Sequence, residues 1–159
     1  HGAAALGRVI DAFPGLAVEI IDDVARLYEA ENHKLRNNAV ALTFEAAAIH
    51  TDVVEPYVDD ITALLTDDDD LIRTNASGTL ARVAEDFPES VAHLTPTLVD
   101  LLGDDDSRVR ENACWALGYL RTMDALAPLK QRVAEDTAHD VQTRAAWAVS
   151  QIRDTGDSQ

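Results

Sequence analysis

Apolar residues along this chain recur with a helical spacing, in segments that short polar stretches separate. Two such segments contain Ile72, Ala76, Leu80 and Val83, and then Val109, Ala113, Leu117 and Leu120. Steps of three and four residues place side chains on one face of an α-helix, whereas strand side chains alternate between two faces. The pattern therefore predicts an all-α protein built from amphipathic helices.

A five-residue motif, with an apolar first and an Ala fifth position, recurs four times along the chain. It begins at Leu35, Ile72, Val109 and Val141, so successive copies are 37, 37 and 32 residues apart. Each copy lies in the second of two predicted helices, and a supersecondary unit repeated at such a period is typical of a solenoid. The expected organisation is a single solenoid over 1–154, with units near 2–13 (partial), 16–49, 53–86, 90–123 and 124–153, and a polar tail over 155–159.

The dipeptides Phe13-Pro14 and Phe87-Pro88 lie two repeat lengths apart, so the chain opens in the middle of a repeat. We therefore expect either that the native protein continues on the amino-terminal side or that the sequence is a fragment with a residual tag residue at His1.

Polar residues precede the second helices where capping acceptors belong. Asn32, Asp69 and Asp106 each lie three residues before the first apolar position, and such side chains accept hydrogen bonds from unpaired amides of a first helical turn. The fourth copy has Ala138 at this place, so its cap is either absent or shifted to Thr137.

The turns also carry an acidic residue six positions before a basic one. Matching pairs are Asp67 with Arg73 and Asp104 with Arg110, while Asp136 precedes Gln142 and Ala30 precedes Arg36. In this the chain resembles HEAT-repeat proteins, of the armadillo type, including the shorter variant of bilin-lyase-like repeat proteins. The resemblance implies a right-handed α-α superhelix of about four helix pairs plus an amino-terminal half repeat. It also implies that these pairs join neighbouring turns, and that the two departures weaken the polar ladder at both ends.

The charge balance is strongly acidic, with 29 Asp and Glu against 13 Lys and Arg and a net charge of −16 over 159 residues. Only Lys34 and Lys130 are lysines, and an Asp-rich, Lys-poor surface suits high ionic strength, where salt screens repulsion. The composition favours a soluble, cytoplasmic protein of a halophile over an acidic protein of a moderate organism. It argues against duplex nucleic acid as a partner, and the absence of a long apolar run argues against a membrane.

Sequence motifs for catalysis or metal binding are lacking. Cys114 is the only cysteine, the histidines are scattered, and no Gly-rich phosphate loop or Ser elbow occurs. The acidic runs at 67–70 and 104–106 fall in turns, where helix capping explains them better than a metal ion does. We therefore expect no cofactor, no specific metal and no enzymatic activity.

The face of the second helices opposite the core is the candidate binding surface. It carries both tryptophans of the chain, at the same position of adjacent repeats, beside small residues. In this class of solenoid that face is the concave one, so the pattern predicts a non-catalytic scaffold that binds a partner protein or peptide there. The candidate contact residues are Phe44, Arg82, Trp115, Tyr119, Arg121 and Trp147.

Other interpretations remain open at this point. The tryptophans can instead fold over the gap at Gly118 or pack between repeats. The chain can also be an enzyme or enzyme subunit on a HEAT-like scaffold, such as a bilin-lyase-like protein or a DNA-glycosylase-like protein with Glu111 as its acid, or a structural spacer in a longer chain.

Overall fold

The computed structural model describes the backbone of residues 14–156 and the side chains of residues 19–154. This part of the chain consists of helices joined by short turns and contains no strand. The α-helices are α1 (Pro14–Ala25), α2 (His33–Ala47), α3 (Thr51–Val54), α4 (Val58–Ala63), α5 (Asp70–Asp86), α6 (Pro88–Val91), α7 (Thr95–Asp100), α8 (Ser107–Leu120), α9 (Leu126–Glu135) and α10 (His139–Gly156). None of these helices is long and apolar enough to cross a membrane.

The chain divides into two compact units, His1–Val83 (unit 1) and Ala84–Gln159 (unit 2), with the boundary inside α5. In unit 1, α2 packs against α1 and α3, and the core includes Ile21, Val40, Val54, Ile61 and Ile72. In unit 2, α10 packs against α8 and α9, and the core includes Leu98, Val109, Leu117, Leu129 and Ile152. Most positions that the apolar spacing assigns to the core of the second helices are therefore buried in both units, but Leu35 is 43% exposed and Leu120 is only partly buried.

The first helices of the two middle repeats are divided, whereas the second helices are continuous. Short 3-10 turns at Glu55–Tyr57 and Ala92–Leu94 separate α3 from α4 and α6 from α7. Pro56 lies inside the first of these turns, and Pro96 follows the second. Because proline lacks an N–H group and crowds the preceding turn, it favours a break at these points. The two amphipathic helices predicted for each unit are thus observed with a break in the first helix of the two middle repeats.

Three predicted caps are confirmed. Asn32 accepts from the Leu35 amide at 3.1 Å, Asp69 accepts from the Leu71 amide at 2.7 Å, and Asp106 accepts from the Arg108 amide at 2.8 Å. In the fourth repeat, the Asp136 carboxylate accepts from the Ala138 amide at 3.0 Å.

The residue at the basic position of each motif donates to the backbone of its own turn. Arg110 donates to the carbonyl oxygen of Asp104 at 2.8 Å, and Arg36 donates to that of Ala30 at 2.9 Å. Because every residue has a backbone carbonyl group, Ala30 accepts this hydrogen bond as well as an aspartate would. Gln142 uses the same geometry, donating to the Asp136 carbonyl at 2.7 Å.

Two of the acidic side chains accept from the arginine of the preceding repeat. Arg36 donates through Nε to Asp67 at 3.1 Å, and Arg110 donates through Nε and an Nη atom to Asp136 at 2.9 and 2.8 Å. The implied links between neighbouring turns are therefore present in both units. Ala30 does not weaken the link to the following turn, because that contact depends on Arg36 and Asp67.

Some predictions concern residues that the structure does not describe. The partial unit at 2–13 and His1 lie outside the described residues, as do residues 157–159 of the predicted tail. The last helix continues to Gly156, past the predicted start of that tail.

Candidate functional site

Three aromatic side chains of unit 2 form one cluster on α8 and α10, here called the aromatic cluster. Trp115 and Tyr119 are four residues apart on α8, a spacing that places both on the same helix face. Their ring centroids are 6.4 Å apart, and the ring of Trp147 on α10 meets Tyr119 edge to face at 5.1 Å. Because α8 and α10 pack together, equal positions in adjacent repeats become neighbours in space.

Gly118 gives Trp147 the room for this position. A Cβ atom at residue 118 would lie 2.3 Å from Cζ3 of the Trp147 ring, well inside van der Waals contact. The indole therefore lies against the bare backbone of α8, as one of the alternative interpretations of the sequence proposed. Trp115 and Trp147 are nonetheless only half-buried, so both rings keep some surface in contact with solvent.

Arg144 lies over both tryptophans. Its Cζ atom is 5.3 Å from the ring centroid of Trp115 and 5.7 Å from that of Trp147, within the range of a cation–π interaction. The same guanidinium forms an ion pair with Glu111 of α8, with an Nη2 to Oε1 distance of 3.5 Å. Arg144 thus connects α10 to α8 across the surface of the cluster.

Tyr119 extends the cluster toward the carboxyl end of α5. Its hydroxyl donates to Oε1 of Glu85 at 2.7 Å. Partial burial, followed by this hydrogen bond to a carboxylate, raises the pKa of Tyr119, so the phenol stays neutral and keeps donating at ordinary pH. The contact fixes the orientation of the ring at one border of the cluster.

Arg121 is exposed at the end of α8, in the left-handed backbone region with φ of 51°. It donates to Oε1 of Gln151 on α10 at 3.3 Å. Its guanidinium therefore lies at the rim of the α8–α10 pair, and the cation that covers the tryptophans is Arg144.

A cavity of about 370 Å³ opens beside Trp147. It is lined by Glu111, Asp140, Thr143, Arg144 and Trp147. All five residues lie on the two second helices of unit 2, so the cavity belongs to the helix face that the sequence pattern selects as the binding surface. Its lining combines one aromatic face, one cation and two carboxylates.

The remaining two predicted site residues form a separate contact in unit 1. The Arg82 guanidinium carbon lies 4.6 Å from the ring centroid of Phe44, over the face of the ring. The structure therefore brings three of the six predicted residues together in unit 2, places Arg121 at the rim of the same helix pair, and pairs the other two in unit 1. The polar residues that complete the cluster, namely Arg144, Glu85 and Asp140, are absent from the predicted set.

The sequence did hold a signal for Arg144. It takes the place of the asparagines at Asn38, Asn75 and Asn112 in the other repeats, and it lies one helical turn before Trp147. A long basic side chain at that spacing can reach an aromatic neighbour on its own helix. Glu85 and Asp140 carry no comparable signal, because acidic residues are abundant throughout the chain.

The single cysteine, Cys114, points into the core. It is fully buried, and burial raises the pKa of its thiol to about 12. A thiol is reactive only as the thiolate, so Cys114 is inert at neutral pH. Among the described residues, no three His, Cys, Asp or Glu side chains converge to hold a metal ion.

A protein-family model for HEAT repeats matches residues 58–150, which is more than half of the chain. The chain belongs to the HEAT-repeat family. No curated protein sequence matches it well enough to count as a relative. The HEAT repeats matched include α8 and α10 up to residue 150, and therefore the whole aromatic cluster.

Solved structures of repeat proteins resemble this HEAT-repeat chain at low sequence identity. An engineered protein from the Northeast Structural Genomics Consortium superposes with a TM-score of 0.74 at 22% identity, over 94% of this chain and 66% of its own. Computationally designed armadillo repeat proteins for modular peptide recognition give a TM-score of 0.75 at 20% identity, over 94% and 73%. A designed armadillo repeat protein in complex with the peptide (KR)4 gives 0.70 at 19%, over 81% and 62%.

The chain spans less than two thirds of the first and the third of these proteins. At these identities the likeness establishes the fold, which is an all-α helical-repeat solenoid.

Proposed function

We propose that this chain is a non-catalytic interaction scaffold that binds a segment of a partner protein on the second-helix face of unit 2. The observation that carries the proposal is the aromatic cluster, which keeps two half-buried tryptophans beside a cavity lined by charged side chains. Tryptophan, tyrosine and arginine are enriched among the interface residues that contribute most of the binding free energy. Designed armadillo proteins of similar fold, one of them in complex with a peptide, support a peptide as the ligand.

The enzymatic alternatives receive less support from the same residues. A glycosylase-like role would need Glu111 as an acid or base, yet its carboxylate is engaged in an ion pair with Arg144, with an Nη2 to Oε1 distance of 3.5 Å. Cys114 is buried and its thiol stays protonated. We therefore propose that no chemistry takes place at the cluster.

The assignment of the concave surface, and of Phe44 and Arg82 as further contacts, belongs to this proposal. The halophilic origin and the cytoplasmic location stay predictions from the composition.

The test is affinity capture from a lysate of the source cell at its native ionic strength, with bound proteins identified by mass spectrometry. Wild type is compared with the Trp115→Ala/Trp147→Ala variant, whose helix content is checked by circular dichroism. We expect the double variant to remain helical and to lose the partner.

The Phe44→Ala variant tests the further contact proposed in unit 1, since it removes an aromatic ring from the second-helix face of unit 1 and leaves unit 2 unchanged. Loss of the partner with Phe44→Ala alone would move the site to unit 1. Equal capture by wild type and the double tryptophan variant would contradict the site assignment and favour a spacer.

A further inference from the structure

Three carboxylates surround the aromatic cluster. Glu85 accepts from the Tyr119 hydroxyl, Glu111 pairs with Arg144, and Asp140 lines the cavity from the first turn of α10. Arg144 is the only cation that lines this cavity. The chain as a whole carries a net charge of −16, so the field at this surface attracts cations.

Arg144 makes the contacts that a cationic ligand would make. It lies over the faces of two tryptophans and pairs with a carboxylate, and both its side chain and that of Glu111 are about one third exposed, at 36% and 32%. Cation–π and ion-pair contacts at such hydrated positions are weak, so a guanidinium or ammonium from another molecule can replace them at small cost.

We propose that the partner segment presents an arginine or lysine side chain to the aromatic cluster, and that Arg144 holds this place in the free protein. On binding, the partner cation takes the ring faces and the Glu111 carboxylate, and Arg144 turns outward. The inference rests on the proposed function, because it names the chemistry of the segment that the scaffold binds.

An anionic partner fits this surface poorly. It could pair with the Arg144 guanidinium, but it would also approach the carboxylates of Glu85, Glu111 and Asp140. Like charges at short range oppose association. The indole faces carry negative electrostatic potential and therefore repel anions as well. Aromatic rings and carboxylates together favour a cation.

Both tryptophans of the chain belong to the cluster, so tryptophan fluorescence reports on this site alone. The probes are three peptides of equal length without aromatic residues, in which glycine alternates with arginine, glutamine or glutamate. Each peptide is titrated into the full chain at fixed ionic strength, and the dissociation constant is taken from the change in emission. We expect the arginine peptide to bind most tightly and the glutamate peptide least.

The decisive variant is Arg144→Ala, which removes the internal competitor. Its matched control is Arg153→Ala, which removes one exposed positive charge from the same helix at a distance from the cavity lining. We expect Arg144→Ala to bind the arginine peptide about three- to tenfold more tightly than Arg153→Ala does. Arg144→Lys, which keeps the charge, is expected to bind as the wild type does.

Removing a carboxylate should act in the opposite direction. Asp140→Asn is expected to weaken binding of the arginine peptide about threefold relative to Asp124→Asn, an exposed aspartate outside the cavity lining. Equal weakening by both variants would mean that only net charge matters, and would overturn the assignment of the cation to this cavity.

Other results would also overturn the inference. Equal affinity of Arg144→Ala and Arg153→Ala would show that Arg144 does not compete, and tighter binding of the glutamate peptide would make Arg144 a receptor for anions. If Arg144→Ala loses helix content, Arg144→Gln is used instead, because it keeps the aliphatic stem.

The two proposals fail in different ways. Suppose that the partner is lost in the Trp115→Ala/Trp147→Ala variant but the arginine peptide binds no more tightly than the others. The scaffold proposal would then stand, and the cationic segment would be rejected. Lysate capture that is indifferent to the tryptophans would reject the scaffold site itself.

Discussion

A single missing side chain, that of Gly118, determines where Trp147 lies. The indole occupies the space that a Cβ atom would need, at 2.3 Å from Cζ3. Sequence reasoning could identify the gap but could not decide between a tryptophan over Gly118 and one facing solvent, because the two differ only in a side-chain rotation. Trp147 is half-buried because it lies on the helix backbone and still borders the cavity.

The variant Gly118→Ala should displace Trp147 without unfolding unit 2. The clashing atom is at the far end of a side chain that can rotate, and alanine favours a helix over glycine by about 1 kcal/mol, which offsets part of the lost contact. We expect the emission maximum to move to longer wavelength while the free energy of unfolding changes by about 1 kcal/mol or less. An unchanged emission spectrum would show that the indole does not depend on Gly118.

Asp136 is the aspartate whose charge the structure stabilises most clearly. Its side chain is 1% exposed, and it accepts two hydrogen bonds from Arg110. The hydrogen bonds from Arg110 are the main reason why the pKa of Asp136 lies below its ordinary value of 3.8. The pKa of Asp136 is lower in the folded protein than in the unfolded chain. Its contribution to the free energy of unfolding is therefore fully present above the unfolded pKa and is lost as the pH falls through the folded pKa.

We therefore expect Asp136→Asn to lower the free energy of unfolding at neutral pH by about 3 kcal/mol, since it leaves the Arg110 charge unmatched. The difference between wild type and variant should shrink as the pH drops below 3.8, where the wild-type carboxylate takes up its proton. Urea titrations at several pH values measure this, with Asp105→Asn as the control in an exposed position. A pH-independent difference would contradict the linkage.

At the scale of the element, the second helices were predictable and the first helices only in part. The apolar spacing of α5, α8 and α10 identifies their buried faces, because each is one continuous amphipathic helix. The breaks between α3 and α4 and between α6 and α7 depend on how prolines fit the local turn, which spacing alone does not reveal. The backbone contacts of the arginine ladder were not predictable for a similar reason, since sequence shows side chains but not the carbonyl groups that Arg36 and Arg110 bind.

The residue that precedes helix α10 cannot cap it with its side chain. Ala138 precedes the helix and offers no side-chain acceptor, whereas Asp106 caps α8. We expect Ala138→Ser to stabilise unit 2 by about 1 kcal/mol, because the hydroxyl can accept from an unpaired amide of the first turn. Ala134→Ser, inside α9, is the control and should destabilise slightly because serine is a poorer helix former than alanine. Chemical denaturation of both variants measures the effect, and a destabilising Ala138→Ser would contradict it.

At the scale of the whole molecule, the repeat determines the fold. Sequence periodicity was sufficient for the family, because a unit recurring at a fixed period must stack to bury its apolar face. It was not sufficient for the site. Arg144 reaches two rings and a carboxylate only because α8 and α10 lie side by side, so its role depends on contacts across repeats.

The acidic surface leads to a prediction about salt. Mutual repulsion in a chain of net charge −16 destabilises the compact state, so the melting temperature should rise when KCl is added to dilute buffer. Screening is nearly complete once the Debye length falls to about 3 Å at 1 M salt, so ordinary repulsion predicts a rise that levels off by then. A surface adapted to a halophilic cell should instead continue to gain stability above that concentration. Thermal melts followed by circular dichroism over this range distinguish ordinary repulsion from a halophilic surface. A melting temperature that does not change from dilute buffer onward would contradict both explanations. It would show that the carboxylates do not repel one another strongly enough to affect folding.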